Sequence, residues 1–101
     1  MKKYLGNAFS LQMVASDVTI SVTQVAPQDV PTDAVSVIGH ADTAAVVEGI
    51  LGRPVPMNRQ SIKLETDDEL YVAQVVGGRL PEGATTLPEG FSLEFRKVVV
   101  A

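Results

Sequence analysis

The sequence predicts an α+β fold, in which a mixed, largely antiparallel sheet of about five strands carries one or two helices on one side. Three features indicate it. Short runs rich in Val, Ile and Thr recur through the 101 residues, one central segment has the spacing of a helix, and Gly, Pro and Asp separate these segments. No internal repeat or low-complexity stretch divides the chain, so residues 1–101 are predicted to form a single domain.

The first quarter of the chain is predicted to contain two strands. Residues 3 to 9 have the composition of a strand, and "SLQMVA" at residues 10 to 15 predicts one or two helical turns. In "DVTISVTQV", residues 17 to 25, apolar side chains alternate with Thr and Ser, which is typical of a half-buried strand. The stretch "APQDVPTD" that follows is typical of a turn-rich connection.

The most regular helical pattern follows a short strand predicted at residues 34 to 39, "AVSVIG". In "HADTAAVVEGILG", Asp42 and Thr43 are residue types that cap a helix N-terminus, and Gly52 with Pro54 just beyond it predicts the helix end. Four apolar side chains recur at helical spacing between these signals: Ala44, Val47, Ile50 and Leu51.

The second half of the chain is predicted to complete the sheet. "QSIKLE" and "ELYVAQVV" have strand composition and are joined by the acidic pair Asp67 and Asp68, which predicts a hairpin. "SLEFRKVVV" at residues 92 to 100 predicts the last strand.

The composition excludes several classes of function. The chain has 12 acidic and 8 basic residues, a net charge of −4 and a pI of about 4.7, so its field repels DNA and other polyanions. A small anionic ligand held by a few arginines remains compatible with that charge. The absence of cysteine excludes a disulfide framework, a thiolate metal site and a Cys nucleophile. No stretch has the length of a signal peptide or a membrane span, which predicts a cytoplasmic protein without a membrane partner.

His40 is the only histidine, and it stands between a predicted strand and the start of the predicted helix. A helix N-terminus presents unpaired N–H groups and the positive end of a dipole, which favour a phosphate. A histidine in this place can donate to a phosphate ester oxygen. Termination of the strand or capping of the helix explains the residue equally simply, and the residues alone leave both interpretations open.

Two arginines stand where a strand begins or ends. Arg79 follows two glycines in "VVGGRLPEG", with Glu82 three residues later, and Arg59 precedes a predicted strand in "PMNRQSIKL". Glycine permits close approach of the backbone to a ligand, and a guanidinium can hold a phosphate with two parallel hydrogen bonds. A β-turn with two solvated charges is the alternative interpretation of Arg79 and Glu82.

The sequence predicts no metal site and no protein nucleophile. One His and no Cys leave only carboxylates, and Asp67, Asp68 and Glu69 are adjacent on a turn rather than spaced to converge. No serine stands in a G-x-S-x-G pattern, and no P-loop or G-x-G-x-x-G is present. RNA cleavage by the substrate's own 2′-hydroxyl needs neither, because an enzyme need only align the reacting groups, stabilise the phosphorane and protonate the leaving 5′-oxygen.

Four segments together resemble one known family: "LGNAFSLQM", "IGHADT", "MNRQSIKL" and "RLPEG". In this order and at these intervals, the chain resembles the viral anti-CRISPR ring nucleases and their relatives encoded beside type III CRISPR systems. That family degrades cyclic tetra-adenylate, the second messenger of those systems. The resemblance implies a homodimer that holds the cyclic ligand across the subunit interface, with no cofactor and no metal, in the cytoplasm of the cell or of the viral host.

The resemblance also implies a role for each matching residue. His40 would be the general acid, Arg79 would stabilise the transition state, and Glu82 would position or help activate the 2′-hydroxyl. The positions implied to bind the substrate are Asn7, Ser10, Gly39, Thr43, Arg59 and Gln74. On this basis Asn7 and Ser10 are expected to face a ligand rather than to shape a turn.

The chain departs from the family pattern in two places. "QVVGGR" is one residue longer, which predicts a β-bulge between Gln74 and Arg79, and "GATTLPEGFSLEF" is shorter than the helical segment usual after Glu82. Pro88 in that segment disfavours a long helix, so closure over the ligand is in question. Two alternatives therefore stand beside a ring nuclease: a module that binds or sequesters a cyclic nucleotide with little turnover, and a dimeric interaction protein without a ligand.

Overall fold

A computed structural model describes residues 1–101 and has the predicted α+β architecture, a five-stranded mixed sheet with one α-helix. The elements in chain order are β1 (Lys3–Gly6), β2 (Ile20–Val25), β3 (Val35–Ser36), α1 (Ala41–Leu51), β4 (Glu69–Val76) and β5 (Ser92–Val100). Two 3₁₀ turns, Leu11–Met13 and Pro27–Asp29, lie between the early strands. No helix is both long enough and apolar enough to cross a bilayer.

The strand order in the sheet is β2-β5-β4-β1-β3. β1 runs parallel to both β3 and β4, whereas β5 runs antiparallel to β4 and β2. The carboxyl ends of β1, β3 and β4 therefore meet at one edge of the sheet. In sheets with parallel strands, ligands bind preferentially in the crevice outside these carboxyl ends.

Each face of the sheet packs against its own apolar cluster. Because successive side chains of a strand point to opposite faces, Leu5, Ala73 and Phe95 contact α1 through Ala44 and Val47. The opposite face presents four buried side chains, Tyr4, Leu70, Val98 and Val100, and it is covered by Ile62 and Leu64 from an irregular segment. The predicted placement of the α-helix on one side of the sheet is confirmed.

The predicted hairpin between residues 60 to 65 and β4 is wrong. Residues 60 to 65 form no strand, and β4 pairs with β5 on one side and β1 on the other. Ile62 and Leu64 are buried and their neighbours are exposed, which is the same alternation that a half-buried strand shows. The two buried side chains of this segment cover one face of the sheet. Its backbone is bonded to the loop before β2, because the Leu64 N–H donates to the Met13 carbonyl at 2.6 Å.

The other predicted strands are shorter than their sequence patterns. β1 stops at Gly6 rather than at residue 9, and β3 comprises two residues rather than residues 34 to 39. The strand predicted from residue 17 begins at Ile20, because Asp17 adopts a φ of 62° and turns the chain. α1 ends at Gly52, as predicted, with a φ of 71° and an N–H that donates to the Glu48 carbonyl at 2.8 Å.

The connection between β4 and β5 is formed by turns, without a helix, as Pro88 indicated. The predicted β-bulge is absent from the ladder, since the β4–β5 pairing continues without interruption to Val76 and Ser92. After the strand, Gly77 and Gly78 turn the chain with φ values of 113° and 145°. A Cβ on Gly77 would lie 2.7 Å from the Gly90 carbonyl oxygen, so only glycine permits this close passage of the two chain segments.

Candidate functional site

An open recess of about 540 Å³ lies beside the N-terminus of α1. Two segments some forty residues apart in the sequence form it, the first turn of α1 with the residue before it, and the loop that follows β4. Its lining consists of His40, Asp42, Thr43, Arg79, Leu80, Pro81 and Glu82. Four of the predicted site residues, His40, Thr43, Arg79 and Glu82, are thus brought together. Five of the seven lining side chains are polar or charged.

His40 occupies the N-cap position of α1, where Asp42 and Thr43 were predicted to cap the helix. Its backbone is extended, with a φ of −130°, and its carbonyl accepts the first helical hydrogen bond from the Ala44 N–H at 3.0 Å. The His40 side chain makes no capping hydrogen bond and is exposed. Because α1 has no side-chain cap, the first amides of the helix remain available for an anion in the recess.

Asp42 connects the two halves of the recess. Its Oδ2 accepts a hydrogen bond of 2.6 Å from the Gly83 N–H, immediately after Glu82. The sequence predicts Asp42 only as a helix-capping residue. No signal in the sequence pairs it with Gly83, since the two residues are 41 positions apart.

Asn7 and Gln74 line a different recess, of about 370 Å³, on the sheet face opposite α1. Asn7 follows the end of β1, and Gln74 points to the same side from β4. Six further residues complete this lining: Ala8, Phe9, Val22, Val72, Arg96 and Val98. The two amide side chains therefore lie together, but outside the recess that contains His40.

Arg59 and Gly39 form a third group. The Asn58 N–H donates to the Ile38 carbonyl at 2.8 Å, and its side-chain amide donates to the Ser36 carbonyl at 2.7 Å. These bonds hold the Arg59 side chain across Gly39, whose hypothetical Cβ would lie 3.2 Å from Arg59 Cγ. Gly39 thus provides the space in which the arginine lies.

Ser10 is engaged locally. Its Oγ accepts a hydrogen bond of 3.2 Å from the Gln12 N–H and caps the 3₁₀ turn Leu11–Met13. Ser10 lines neither of the two recesses described above. In this structure the serine shapes a turn, the role that the resemblance did not predict for it.

The geometry of the recess beside α1 suits an anionic ligand. No group of three His, Cys, Asp or Glu side chains is arranged to hold a metal ion. Arg79, His40 and the start of α1 instead supply hydrogen-bond donors, and Glu82 supplies a carboxylate. Such a combination can bind a phosphate, donate a proton to one oxygen and accept a proton from another.

Comparison with known proteins identifies the family. The profile of the STIV B116-like family matches residues 3–93, which is most of the chain. The chain belongs to the STIV B116-like family. Among solved structures it is similar to B116 of Sulfolobus turreted icosahedral virus (STIV), with a TM-score of 0.79 and 24% sequence identity over 98% of this chain and 99% of that one. No curated protein sequence matches it.

Membership of the STIV B116-like family supports the part of the resemblance that concerns a viral protein family. The similarity to B116 extends over nearly the whole length of both chains, so the two proteins share the fold described above. At 24% identity it is a likeness of fold. The chemistry of the site depends on the residues of this chain.

Proposed function

We propose that this STIV B116-like protein is a metal-independent ring nuclease that cleaves cyclic tetra-adenylate and so switches off type III CRISPR signalling. The observation that carries the proposal is the recess at the N-terminus of α1, which gathers His40, Arg79 and Glu82 from distant parts of the sequence. These are the residues to which the family resemblance assigns catalysis. The products would be linear adenylates that end in a 2′,3′-cyclic phosphate.

The reaction would proceed by attack of a ribose 2′-oxygen on the adjacent phosphorus. The new 2′-O–P bond forms as the P–O5′ bond breaks, the 2′-hydroxyl proton passes to a base, and the departing 5′-oxygen takes a proton from His40. Glu82 would orient or deprotonate the 2′-hydroxyl, whereas Asp42, the other carboxylate of the recess, accepts a hydrogen bond from the Gly83 N–H. The substrate supplies its own nucleophile at high effective concentration, so the protein contributes alignment and proton transfer.

Arg79 would stabilise the phosphorane. Its guanidinium can donate two parallel hydrogen bonds to the non-bridging oxygens, whose charge grows in the transition state. The N-terminal amides of α1 and the Thr43 hydroxyl lie at the same recess and can add further donors. The overall charge of −4 is no obstacle, because these donors are concentrated in one place.

We propose that the working unit is a homodimer in the cytoplasm, with the cyclic ligand between two copies. A ring of four identical nucleotides has two-fold symmetry, and a two-fold dimer presents each donor twice. Val22 of the edge strand β2 is exposed, as is Leu11, which lines a recess with Ile20 of the same strand, and a second copy would cover part of this surface. Asn7 and Gln74, which line the second recess, would then contact the nucleotides beyond the cleaved phosphate.

The direct test is single-turnover incubation of labelled cyclic tetra-adenylate with excess protein in EDTA. We expect conversion to linear adenylates with a 2′,3′-cyclic phosphate, at a rate that added EDTA does not change. Sedimentation equilibrium with and without the ligand measures the oligomeric state. Absence of cleavage under these conditions, with the protein folded, would contradict the assignment as a ring nuclease.

A second candidate function is a binding module that sequesters the cyclic nucleotide. It is favoured by one observation: residues 83 to 91 form turns rather than a helix, so the recess remains open to solvent. Exclusion of water strengthens the electrostatic stabilisation on which catalysis depends. Binding of cyclic tetra-adenylate without any product in the same incubation would support this function. Absence of binding would leave an interaction protein.

Gly39→Ala tests whether Arg59 contacts the ligand. The added methyl group would lie 3.2 Å from Arg59 Cγ and force the arginine side chain to shift. We expect binding of cyclic tetra-adenylate to weaken by about tenfold, the loss of roughly one hydrogen bond to a charged group. Isothermal titration calorimetry measures the affinity, and thermal unfolding should show a fold of unchanged stability. Unchanged affinity would show that binding does not depend on this placement of the Arg59 side chain over Gly39.

A further inference from the structure

The loop that carries Arg79 and Glu82 has few attachments to the rest of the protein. β4 ends at Val76, and Gly77 and Gly78 have φ values of 113° and 145°. Within the loop, the Ala84 N–H donates to the Pro81 carbonyl at 3.1 Å. The bond from Gly83 to Asp42 is the only hydrogen bond that joins residues 79 to 83 to another part of the chain.

The geometry of residues 81 to 84 explains why Asp42 contacts the amide of Gly83. The hydrogen bond from Ala84 to Pro81 closes a β-turn, with Glu82 and Gly83 as its two central residues. Gly83 has a φ of 82°, the value that the third position of a type II turn requires. The central peptide group of the turn, between Glu82 and Gly83, is therefore the group that Asp42 holds.

We propose that Asp42 is a positioning residue, which fixes the Arg79–Gly83 loop against the start of α1 so that Arg79 and Glu82 face His40. This inference rests on the proposed function. Asp42 does not itself contact the reacting atoms. It is a carboxylate in a recess that would receive a phosphate, so its charge opposes binding while its hydrogen bond orders the loop.

Two substitutions separate these effects. Asp42→Asn keeps an oxygen that can accept from the Gly83 N–H but removes the negative charge, whereas Asp42→Ala removes both. We expect Asp42→Asn to retain kcat within about threefold and to lower KM, because repulsion of the phosphates is gone. We expect Asp42→Ala to lower kcat by about ten- to a hundredfold, the effect of a misplaced catalytic group.

Asp29→Ala is the matched control. Asp29 Oδ2 also accepts a hydrogen bond from an exposed backbone amide, that of Ala26 at 2.9 Å, but it lies outside the recess. Kinetics of cyclic tetra-adenylate cleavage should be unchanged in this variant. Amide hydrogen exchange adds a readout that is independent of catalysis: protection of the Gly83 N–H should persist in Asp42→Asn and disappear in Asp42→Ala.

The outcomes distinguish this inference from the proposed function. Normal kcat in Asp42→Ala, with active wild-type protein, overturns the positioning role alone. Equal loss of kcat in Asp42→Asn and Asp42→Ala also overturns it, because the retained acceptor should rescue the loop. If the wild-type protein cleaves nothing, the proposed function is overturned, and the positioning role of Asp42 with it. This holds even if the exchange experiment shows that the Gly83 N–H is protected.

Discussion

His40→Ala is expected to reduce cleavage of cyclic tetra-adenylate by about a hundred- to ten-thousandfold, the usual contribution of a positioned general acid. The 5′-oxygen is a poor leaving group without a proton, and His40 is the only imidazole in the chain. Binding should change little, since Arg79 and the α1 amides remain. Single-turnover cleavage and equilibrium binding, measured on the same preparation, separate the two quantities.

The substitution should leave the fold unchanged, which makes the measurement interpretable. The His40 side chain is exposed and makes no capping hydrogen bond, and the first helical bond uses its backbone carbonyl. Thermal unfolding of His40→Ala should therefore match that of the wild type. His40→Gln is a second control, because glutamine retains a hydrogen-bond donor but does not transfer a proton at neutral pH. Cleavage at the wild-type rate in both variants would exclude His40 as the acid.

The features that the sequence predicted correctly depend on local chemistry. α1 was predicted from apolar side chains at helical spacing and from Gly52, and the structure has the left-handed backbone there that favours glycine. β4 and β5 were predicted from the strand composition of "ELYVAQVV" and "SLEFRKVVV", and they form the longest ladder of the sheet. In these elements, the side chains within a few residues of each other determine the structure.

The wrong predictions, the strand at residues 60 to 65 and the N-cap of α1, concern segments whose structure is determined by tertiary contacts. "QSIKLE" has the alternation of a strand, but Ile62 and Leu64 are buried by covering the sheet face rather than by pairing within it. The same pattern serves both arrangements, so no local signal distinguishes them. The N-cap was misassigned for a similar reason: Asp42 is a good capping residue, yet its carboxylate accepts from Gly83 instead.

The residues of the candidate site could be named from the sequence, but which of them lie together in the structure could be predicted only in part. The family resemblance named nine residues, and the structure gathers His40, Thr43, Arg79 and Glu82 at one recess and Asn7 with Gln74 at another. The first group can be understood from topology, because α1 follows β3 and the Arg79 loop follows β4 at the same sheet edge. The contact between Asp42 and the Gly83 turn could not be predicted from a single sequence.

A buried carboxylate, Asp68, lies near the amino ends of β1 and β4, opposite the sheet edge that carries the recesses. Asp68 is 4% exposed and accepts hydrogen bonds from the Lys2 N–H at 2.8 Å and the Glu65 N–H at 3.0 Å. The Glu69 N–H in turn donates to the Lys2 carbonyl at 2.9 Å. These bonds fix the register of β1 against β4, and hence the relative positions of Asn7 and Gln74 at their carboxyl ends.

Asp68→Ala is expected to lower the free energy of unfolding by about 2 kcal/mol, because two partly buried amides, those of Lys2 and Glu65, lose a charged acceptor. For a domain whose total stability is roughly 5 to 15 kcal/mol, this is a large fraction. Urea denaturation at neutral pH measures the loss. Glu65→Ala is the matched control in the same turn, since its exposed side chain makes no hydrogen bond and its amide still donates to Asp68.

The stabilisation by Asp68 should also depend on pH. Burial alone would raise the pKa of Asp68, but hydrogen bonds from the Glu65 and Lys2 amides, and the positive charges of the N-terminus and Lys2, bring it below its usual value. The unfolded chain binds the proton at a pKa of about 3.9. The contribution of Asp68 to the free energy of unfolding is therefore fully present above about pH 4. It is lost as the pH falls through the lower pKa of the folded state. The difference in unfolding free energy between wild type and Asp68→Ala should accordingly shrink in acid. A difference that stays constant down to pH 2 would contradict this. It would show that the negative charge of Asp68 contributes nothing to stability, and that the neutral acid accepts the two hydrogen bonds equally well.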